Sequence, residues 1–251
     1  MQEIVDSHAH LDDITNLDGA IERAKSNGIK AIISMGTNYD SNNKALRISR
    51  RYFGFVFPAA GIHPWEIDEN ADSVLEARAL EFITKRIDDF VAIGEVGLDY
   101  WIKTSREAQT NVFRKVIDIA AASKKPLVVH SRGAWEDAFD YVYSRGLEKV
   151  IFHWYSGPQN VFKKIVDCGY LISATPAVKY SKPHREAIAC VALENLILET
   201  DSPVKYKGIA SEPSDVLKVL NYVAELKDMK ISDLVEVTTK NVEKVFDLKL
   251  G

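Results

Sequence analysis

Eight times along this chain a short apolar run gives way to a stretch whose apolar residues recur every three or four positions, and this alternation restricts the fold more than any other feature. Short apolar runs suit buried strands, and the longer spacing is the helical period. The expected strands are Glu3–His8, Lys30–Met35, Phe55–Gly61, Val91–Glu95, Pro126–His130, Lys149–His153, Tyr170–Ser173 and Leu196–Glu199. Among the helical faces, Ala20, Ile21 and Ala24 form one, Val74, Leu75, Leu80, Ile83 and Ile87 another, and Val112, Phe113, Val116, Ile117 and Ala120 a third. The last two helices are expected near Glu212–Leu226 and Ile231–Phe246. Gly28, Gly146 and Gly169 each stand where a left-handed cap would end a helix before a strand. Eight strand-plus-helix units in about 250 residues are the usual size of a (β/α)8 barrel. The competing α/β architecture is a doubly wound open sheet, which often carries a Gly-rich turn after its first strand. Neither G-x-G-x-x-G nor G-x-x-x-x-G-K-[ST] occurs here. The expectation is one TIM-barrel domain over residues 1–251, with no internal linker.

Composition narrows the class. The hydrophobic fraction of 46% is enough for a sizeable core. No apolar run reaches the roughly 18 residues of a membrane span, and the first residues lack a signal-peptide pattern, so no membrane partner and a cytoplasmic location are expected. The net charge of −4 argues against grip on duplex DNA through a global basic field. Cys168 and Cys190 have no CxxC spacing and read as reduced thiols.

In a barrel the chemistry sits at the C-terminal strand ends. Read in order, those ends carry His8-Ala9-His10, Gly61-Ile62-His63-Pro64, Gly94-Glu95-Val96-Gly97-Leu98-Asp99, His130-Ser131-Arg132, His153 and Glu199-Thr200-Asp201-Ser202-Pro203. Five of the six histidines thus fall where a barrel builds its site. Strand alternation puts residues two apart on one side. Pairing Ile93 with Glu95, Val128 with His130, Ile151 with His153, and Ile197 with Glu199 and Asp201 points His8, His10, Glu95, His130, His153 and Asp201 into one mouth. Four imidazoles and two carboxylates are too many for one tetrahedral ion and suit two ions sharing a bridging carboxylate. Glu95 is the carboxylate offered at the strand-four position.

These segments together resemble the TatD family of metal-dependent hydrolases within the amidohydrolase superfamily, over essentially the whole chain. The resemblance rests on Asp6 to Asp12, Gly61 to Pro64, Gly94 to Tyr100, Val129 to Arg132, His153 to Gly157 and Glu199 to Pro203. It implies metal ligands at His8, His10, Glu95, His130, His153 and Asp201, and phosphodiester hydrolysis, typically as a deoxyribonuclease. Two departures fall in loops: Trp154-Tyr155 stands where the family usually has Cys-Phe, and Ala210-Ser211 where it often has Arg-Asn.

The expected chemistry follows. His8, His10, Glu95 and Asp201 would hold one divalent ion, and Glu95, His130 and His153 the second; zinc, manganese, cobalt or magnesium suit such a shell. A metal-bridging hydroxide would attack phosphorus, with Asp201 orienting it and taking its proton, so Asp201 and Glu95 are the expected catalytic residues. His63 and Arg132 are expected to grip substrate phosphate. DNA or another phosphodiester is the expected partner. Lys103, Arg106, Lys179, Lys182, His184, Arg185, Lys205 and Lys207 would form a cationic rim, and Trp65, Trp101, Trp154 and Tyr155 could stack bases. The competing readings are an amide or ester hydrolase with the same metals, such as a D-aminoacyl-tRNA deacylase, and a non-catalytic metal-binding protein.

Overall fold

The computed structural model describes residues 3–67 and 74–250. Eight parallel strands, each hydrogen-bonded to the next in chain order, form one sheet: β1 Ile4–Ala9, β2 Ile29–Met35, β3 Val56–Ala60, β4 Ala92–Gly97, β5 Leu127–His130, β6 Val150–Phe152, β7 Leu171–Ala174 and β8 Leu196–Leu198. The sheet closes on itself through a parallel bridge between Ala9 and Ser202, where Asp201 N–H donates to His8 O at 2.9 Å and His10 N–H to Ser202 O at 2.7 Å. This is the (β/α)8 barrel. The closing bonds lie at the C-terminal strand ends, so barrel closure and the histidine-bearing mouth are built from the same residues.

The outer helices are α1 Leu17–Ser26, α2 Tyr39–Arg51, α3 Val74–Lys85, α4 Arg106–Ser123, α5 Trp135–Ser144, α6 Gln159–Asp167, α7 Lys182–Cys190, α8 Val216–Leu226 and α9 Ile231–Phe246. Side-chain caps start several of them: the amide oxygens of Asn16 and Asn38 accept from Gly19 N–H and Ser41 N–H, and the Ser105 hydroxyl accepts from Ala108 N–H. Gly28, Gly146 and Gly169 have φ of 80°, 66° and 74°, the left-handed conformation that a helix-ending glycine takes. The expected face of α3 is only partly right. Ala79 and Ile83 are buried, Val74 and Leu75 are exposed, and Ile87 belongs to a separate short helical turn. The expected helix from Glu212 starts as a short turn, Pro213–Asp215, before α8.

The core has two layers. One lies between the sheet and the outer helices and includes Ile4, Ile93, Val96, Val129 and Phe152. The other fills the barrel interior with Val5, Ile33, Ala92, Val128, Ile151 and Ile197. Val242, Val245 and Phe246 of α9 join that inner layer, and α9 reaches the strand starts through Asn241, whose amide donates to Leu196 O. The helix therefore covers the N-terminal end of the barrel.

Which core layer a residue joins shows how the site side chains are turned inward. Val128, Ile151 and Ile197 face the interior, so His130, His153 and Glu199, two residues on, follow the same parity. The pairing of Ile93 with Glu95 fails. Ala92 is inner and Ile93 outer, which by simple alternation would send Glu95 outward. Ile93 pairs with Leu127, but Val96 pairs with Val129, so Gly94 and Glu95 together oppose Val128. This extra residue is a β-bulge, and it re-aims Glu95 into the mouth. β1 has the same device: Asp6 pairs with Ile32 and Ala9 with Ser34, leaving Ser7 and His8 opposite Ile33.

Glycine permits the crowding at the bulge. Gly94 has φ 147°, and a Cβ there would lie 2.6 Å from Val128 Cβ. Gly97 has φ 149°, and a Cβ there would lie 1.9 Å from the carbonyl oxygen of His130. Neither position can accept an L side chain without moving β5.

Gly97→Ala should therefore destabilise the fold by about 3 kcal/mol or more, lowering Tm by roughly 6–12 °C in a chain of this size. Gly146→Ala also places a side chain at positive φ but meets nothing within 4 Å, and should cost only about 1 kcal/mol. Equal Tm values for the two variants in a thermal melt would refute the close-approach argument.

Candidate metal centre

Glu95 sits at the centre of the mouth with its two carboxylate oxygens facing different groups. Oε2 lies 3.2 Å from His8 Nε2 and 3.3 Å from His10 Nε2. Asp201 Oδ1 completes that group, 3.4 Å from His8 Nε2 and 3.3 Å from His10 Nε2, and the two imidazole nitrogens are 3.3 Å apart. Oε1 lies 2.7 Å from His130 Nδ1 and 2.8 Å from His153 Nε2, which are 3.4 Å from each other. All six side chains lie in the mouth and all but His10 are buried.

The donor set fits a pair of divalent ions. Ligand atoms at about 2.0–2.1 Å from one tetrahedral ion stand about 3.3 Å apart, which is the spacing of the first group. The ring orientations agree. His153 Nδ1 faces Glu199 Oε1 at 3.2 Å and His130 Nε2 faces Asp99 Oδ2 at 3.1 Å, so each ring has a carboxylate to hold one proton outward, and its other nitrogen, facing Glu95, is the one at which a cation would replace a proton. A carboxylate behind an imidazole is the usual way such a ligand is oriented. His8 Nδ1 and Glu199 Oε2 are buried 3.9 Å apart, with no hydrogen-bond partner among the described residues.

His63 is arranged differently. Its Nε2 lies 3.3 Å from Glu95 Oε1, close enough to group it with His130. Yet its Nδ1 accepts the Trp65 backbone N–H at 3.1 Å, which leaves the ring proton on Nε2. His63 is thus a hydrogen-bond donor beside the ligand group rather than a lone pair aimed at a cation. Burial pushes its pKa down to about 4, despite the opposing pull of Glu95, so the ring is neutral near pH 7.

The electrostatics of the mouth favour positive charge. Burial alone would lower the pKa of His10, but Asp201 and Glu95 outweigh it and push the ring up to about 10. The same opposition raises His130, through Asp99 and Glu95, and His153, through Glu95 and Glu199. Burial works to raise Glu95, but His153, His63, His10 and His130 hold it well below the usual carboxylate range. A field that draws protons onto desolvated imidazoles also draws a cation among them.

Arg132 spends two nitrogens on Asp99 Oδ2, at 2.9 Å from Nε and 2.7 Å from Nη2. Trp65 Nε1–H donates to the same oxygen at 3.1 Å. Asp99 therefore ties His130, Arg132 and Trp65 into one unit. In the sequence Asp99 carries one signal, its place two residues beyond Gly97 at the end of strand four. Glu199 was readable from its parity with Ile197.

Several expected rim and stacking residues lie elsewhere. His184 is fully buried, with Nδ1–H donating to Tyr155 O at 2.7 Å and Nε2 accepting Thr175 N–H at 3.1 Å. Burial pushes its pKa down to about 4, so it carries no rim charge near pH 7. Arg185 is bound to the carbonyls of Val178 and Lys179. Tyr155 is fully buried, donating to Pro158 O, and cannot stack a base. Trp154 packs on Tyr206, whose hydroxyl donates to Thr200 O. Lys103, Lys205 and Lys207 remain exposed near the mouth.

The family model for TatD related DNase matches residues 5–247. The chain belongs to the TatD family. Human deoxyribonuclease TATDN3 is similar to this TatD protein at 31% identity, covering 97% of this chain and 94% of its own. An uncharacterized metal-dependent hydrolase, MJ1582 of Methanocaldococcus jannaschii, is 32% identical over 98% of both chains. The crystal structure of YJJV, a TatD homologue from Escherichia coli, superposes with a TM-score of 0.89 at 22% identity, covering 98% of each chain. By family this chain is one of the TatD metal-dependent hydrolases, and its donor clusters give it a candidate metal centre. No helix among the described residues is long and apolar enough to cross a membrane.

Two outcomes follow. Asp99→Asn should weaken metal affinity at the His130 group by about 10- to 100-fold, read by chelator competition; unchanged affinity would remove Asp99 as the orienting group. His184 makes stability depend on pH. Its folded pKa of about 4 lies below an unfolded value of about 6.5, so its contribution is complete above pH 6.5 and is lost as pH falls toward 4, by on the order of 3 kcal/mol. His184→Gln should show a correspondingly shallower loss of Tm between pH 7 and pH 4.5, and identical slopes would overturn the assignment.

Proposed function

We propose that this chain is a two-metal phosphodiesterase acting on DNA, a deoxyribonuclease. The observation that carries the reading is the split of the Glu95 carboxylate, one oxygen to His8, His10 and Asp201 and the other to His130 and His153. The deoxyribonuclease name of the human relative supports the substrate class. In this reading His8, His10, Glu95 and Asp201 would hold one divalent ion and Glu95, His130 and His153 the other, of zinc, manganese, cobalt or magnesium. Bound there, the ions supply Lewis-acid polarisation of the substrate oxygen and lower the pKa of coordinated water.

The chain's own groups do the rest. Asp201 is fixed by its backbone bond to His8 O and takes the proton of the attacking water. His63 offers its Nε2–H to a substrate oxygen beside Glu95. Arg132, oriented by Asp99 and about two-fifths exposed, presents its guanidinium to phosphate. The buried positions of Glu95, His153 and Asp201 keep bulk water from competing with these contacts.

The test is turnover of a 3′-labelled single-stranded oligonucleotide by the metal-loaded protein, beside N-acyl and aminoacyl-ester substrates. Phosphodiester cleavage is expected, and turnover of the acyl substrates alone would overturn the reading. Glu95→Gln should drop bound metal from about two ions per chain to one or fewer and reduce kcat by about 100-fold or more. Full activity with two ions retained would remove Glu95 from the shared position.

A further inference from the structure

The seam where the barrel closes is held by side chains as much as by main chain. Between β1 and the segment after β8 the described residues form one backbone bridge, Ala9 with Ser202. Below it, toward the strand starts, the bonds run through side chains. The Ser7 hydroxyl donates to Leu198 O at 2.9 Å, and Thr200 N–H donates to Asp6 Oδ1 at 2.8 Å. The Thr200 hydroxyl donates to the other oxygen of the same carboxylate, Oδ2, at 2.6 Å. Asp6, Thr200 and Ser202 are all fully buried. A carboxylate at that depth is costly unless its oxygens are hydrogen-bonded, and Thr200 supplies a bond to each.

Thr200 precedes Asp201, and every polar group it has is occupied. Its N–H and its hydroxyl hydrogen go to Asp6, while its Oγ1 accepts Ser202 N–H at 3.2 Å. Its carbonyl accepts the Tyr206 hydroxyl at 2.9 Å. Tyr206 lies in the hairpin formed by Lys205–Tyr206 and Ile209–Ala210, where its ring packs on Trp154 and Tyr180. These bonds grip the chain on both sides of Asp201, at Thr200 and at Ser202. Between them Asp201 has φ 52°, the left-handed region that a non-glycine residue seldom occupies. Such a conformation persists where the surroundings over-determine it. In it, Asp201 Oδ1 stands 3.4 Å from His8 Nε2 and 3.3 Å from His10 Nε2. Asp6 Oδ1 also lies 3.4 Å from the His8 amide nitrogen, so one carboxylate reaches the backbone at His8 and the backbone next to Asp201.

We propose that Asp6, acting through Thr200, is the positioning residue that fixes Asp201 against His8 and His10. The proposal rests on reading His8, His10, Glu95 and Asp201 as a divalent-ion group, and it is independent of the bond the centre cleaves. An Asp201 on an unsupported turn would have to be ordered by the ion itself, and the ordering entropy would be subtracted from affinity. The clamp meets that cost during folding, with a buried carboxylate that touches neither ion nor substrate.

The measurement is a two-step zinc titration against a competing chelator, in which Asp201→Asn identifies the step that belongs to the first group. Thr200→Val removes the hydroxyl at nearly constant shape and should weaken that same step by about 10-fold, leaving the other within about 2-fold. Thr200→Ser restores the hydroxyl and should bring affinity back to within about 3-fold of wild type. Asp6→Ala should weaken the same step at least as much as Thr200→Val; where it fails to fold, Thr200→Val carries the test. In the Asp201→Asn background Thr200→Val should add nothing, because the clamp acts only through Asp201. A fully additive loss, equal losses at both steps, or an unchanged first step in Thr200→Val overturns the proposal. Amide exchange of the metal-free protein gives a second readout. Thr200→Val should speed exchange at Asp201 and Ser202 by roughly 10-fold and leave the amides of β5 unchanged. If zinc binds the wild type at no step that Asp201→Asn weakens, the ion-group reading falls, and the clamp on Asp201 stands or falls by that exchange alone.

Discussion

A buried carboxylate held between four imidazoles sets the terms for the rest of this barrel. Glu95 is 3% exposed, and an uncompensated charge at that depth would cost several kcal/mol. Compensation comes from His8, His10, His130 and His153, which arrive from three strands other than its own. The same four rings are crowded against one another and against Asp201, so they are stable only with negative charge among them. Neither half of the cluster is satisfactory alone. That mutual dependence ties β1, β5, β6 and the segment after β8 to a single point on β4.

The local backbone irregularities serve this point. In an unbroken strand Glu95 would face the helices, since Ile93 does. The bulge at Gly94 and Glu95 and the matching one at Ser7 and His8 each insert one residue against the neighbouring strand. The site needs side chains inward at positions where regular alternation would send them outward, and an extra residue is the least disruptive way to change parity. Gly97 then lets β4 lie directly against the carbonyl of His130. The regular part of each strand fills the core, and the irregular part builds the mouth.

This division explains what the sequence disclosed. The apolar runs and helical faces depend on local spacing, so all eight strands fall within about two residues of their expected limits, and α9 matches at both ends. The histidines at strand ends were visible for the same reason. The inward aim of Glu95 was inferred from pairing it with Ile93, and the structure places Ile93 in the outer layer; a bulge exists only relative to a partner strand, which local spacing does not contain. His184 and Tyr155 resisted reading because their burial is decided by contacts between α7 and the loop after β6. The tautomer of His63 depends on one backbone amide, that of Trp65, whose orientation no side-chain pattern encodes.

Charge connects the metal centre to the substrate it faces. Four carboxylates, Glu95, Asp99, Glu199 and Asp201, converge within a mouth whose chain is already negative overall. Asp99 is matched by Arg132 and His130, whereas Glu95 and Asp201 are matched only by imidazoles, which are weak cations at neutral pH unless a neighbour holds their proton. A phosphodiester approaching this set with the imidazoles neutral meets like charge at the depth where it must react. Divalent cations would reverse the sign of that field by taking the place of protons at the nitrogens of His8, His130 and His153 that face Glu95. In this arrangement the donors that would hold divalent ions and the carboxylates that set the sign of the mouth's field are the same groups, so cation binding and that sign are two consequences of one charge distribution.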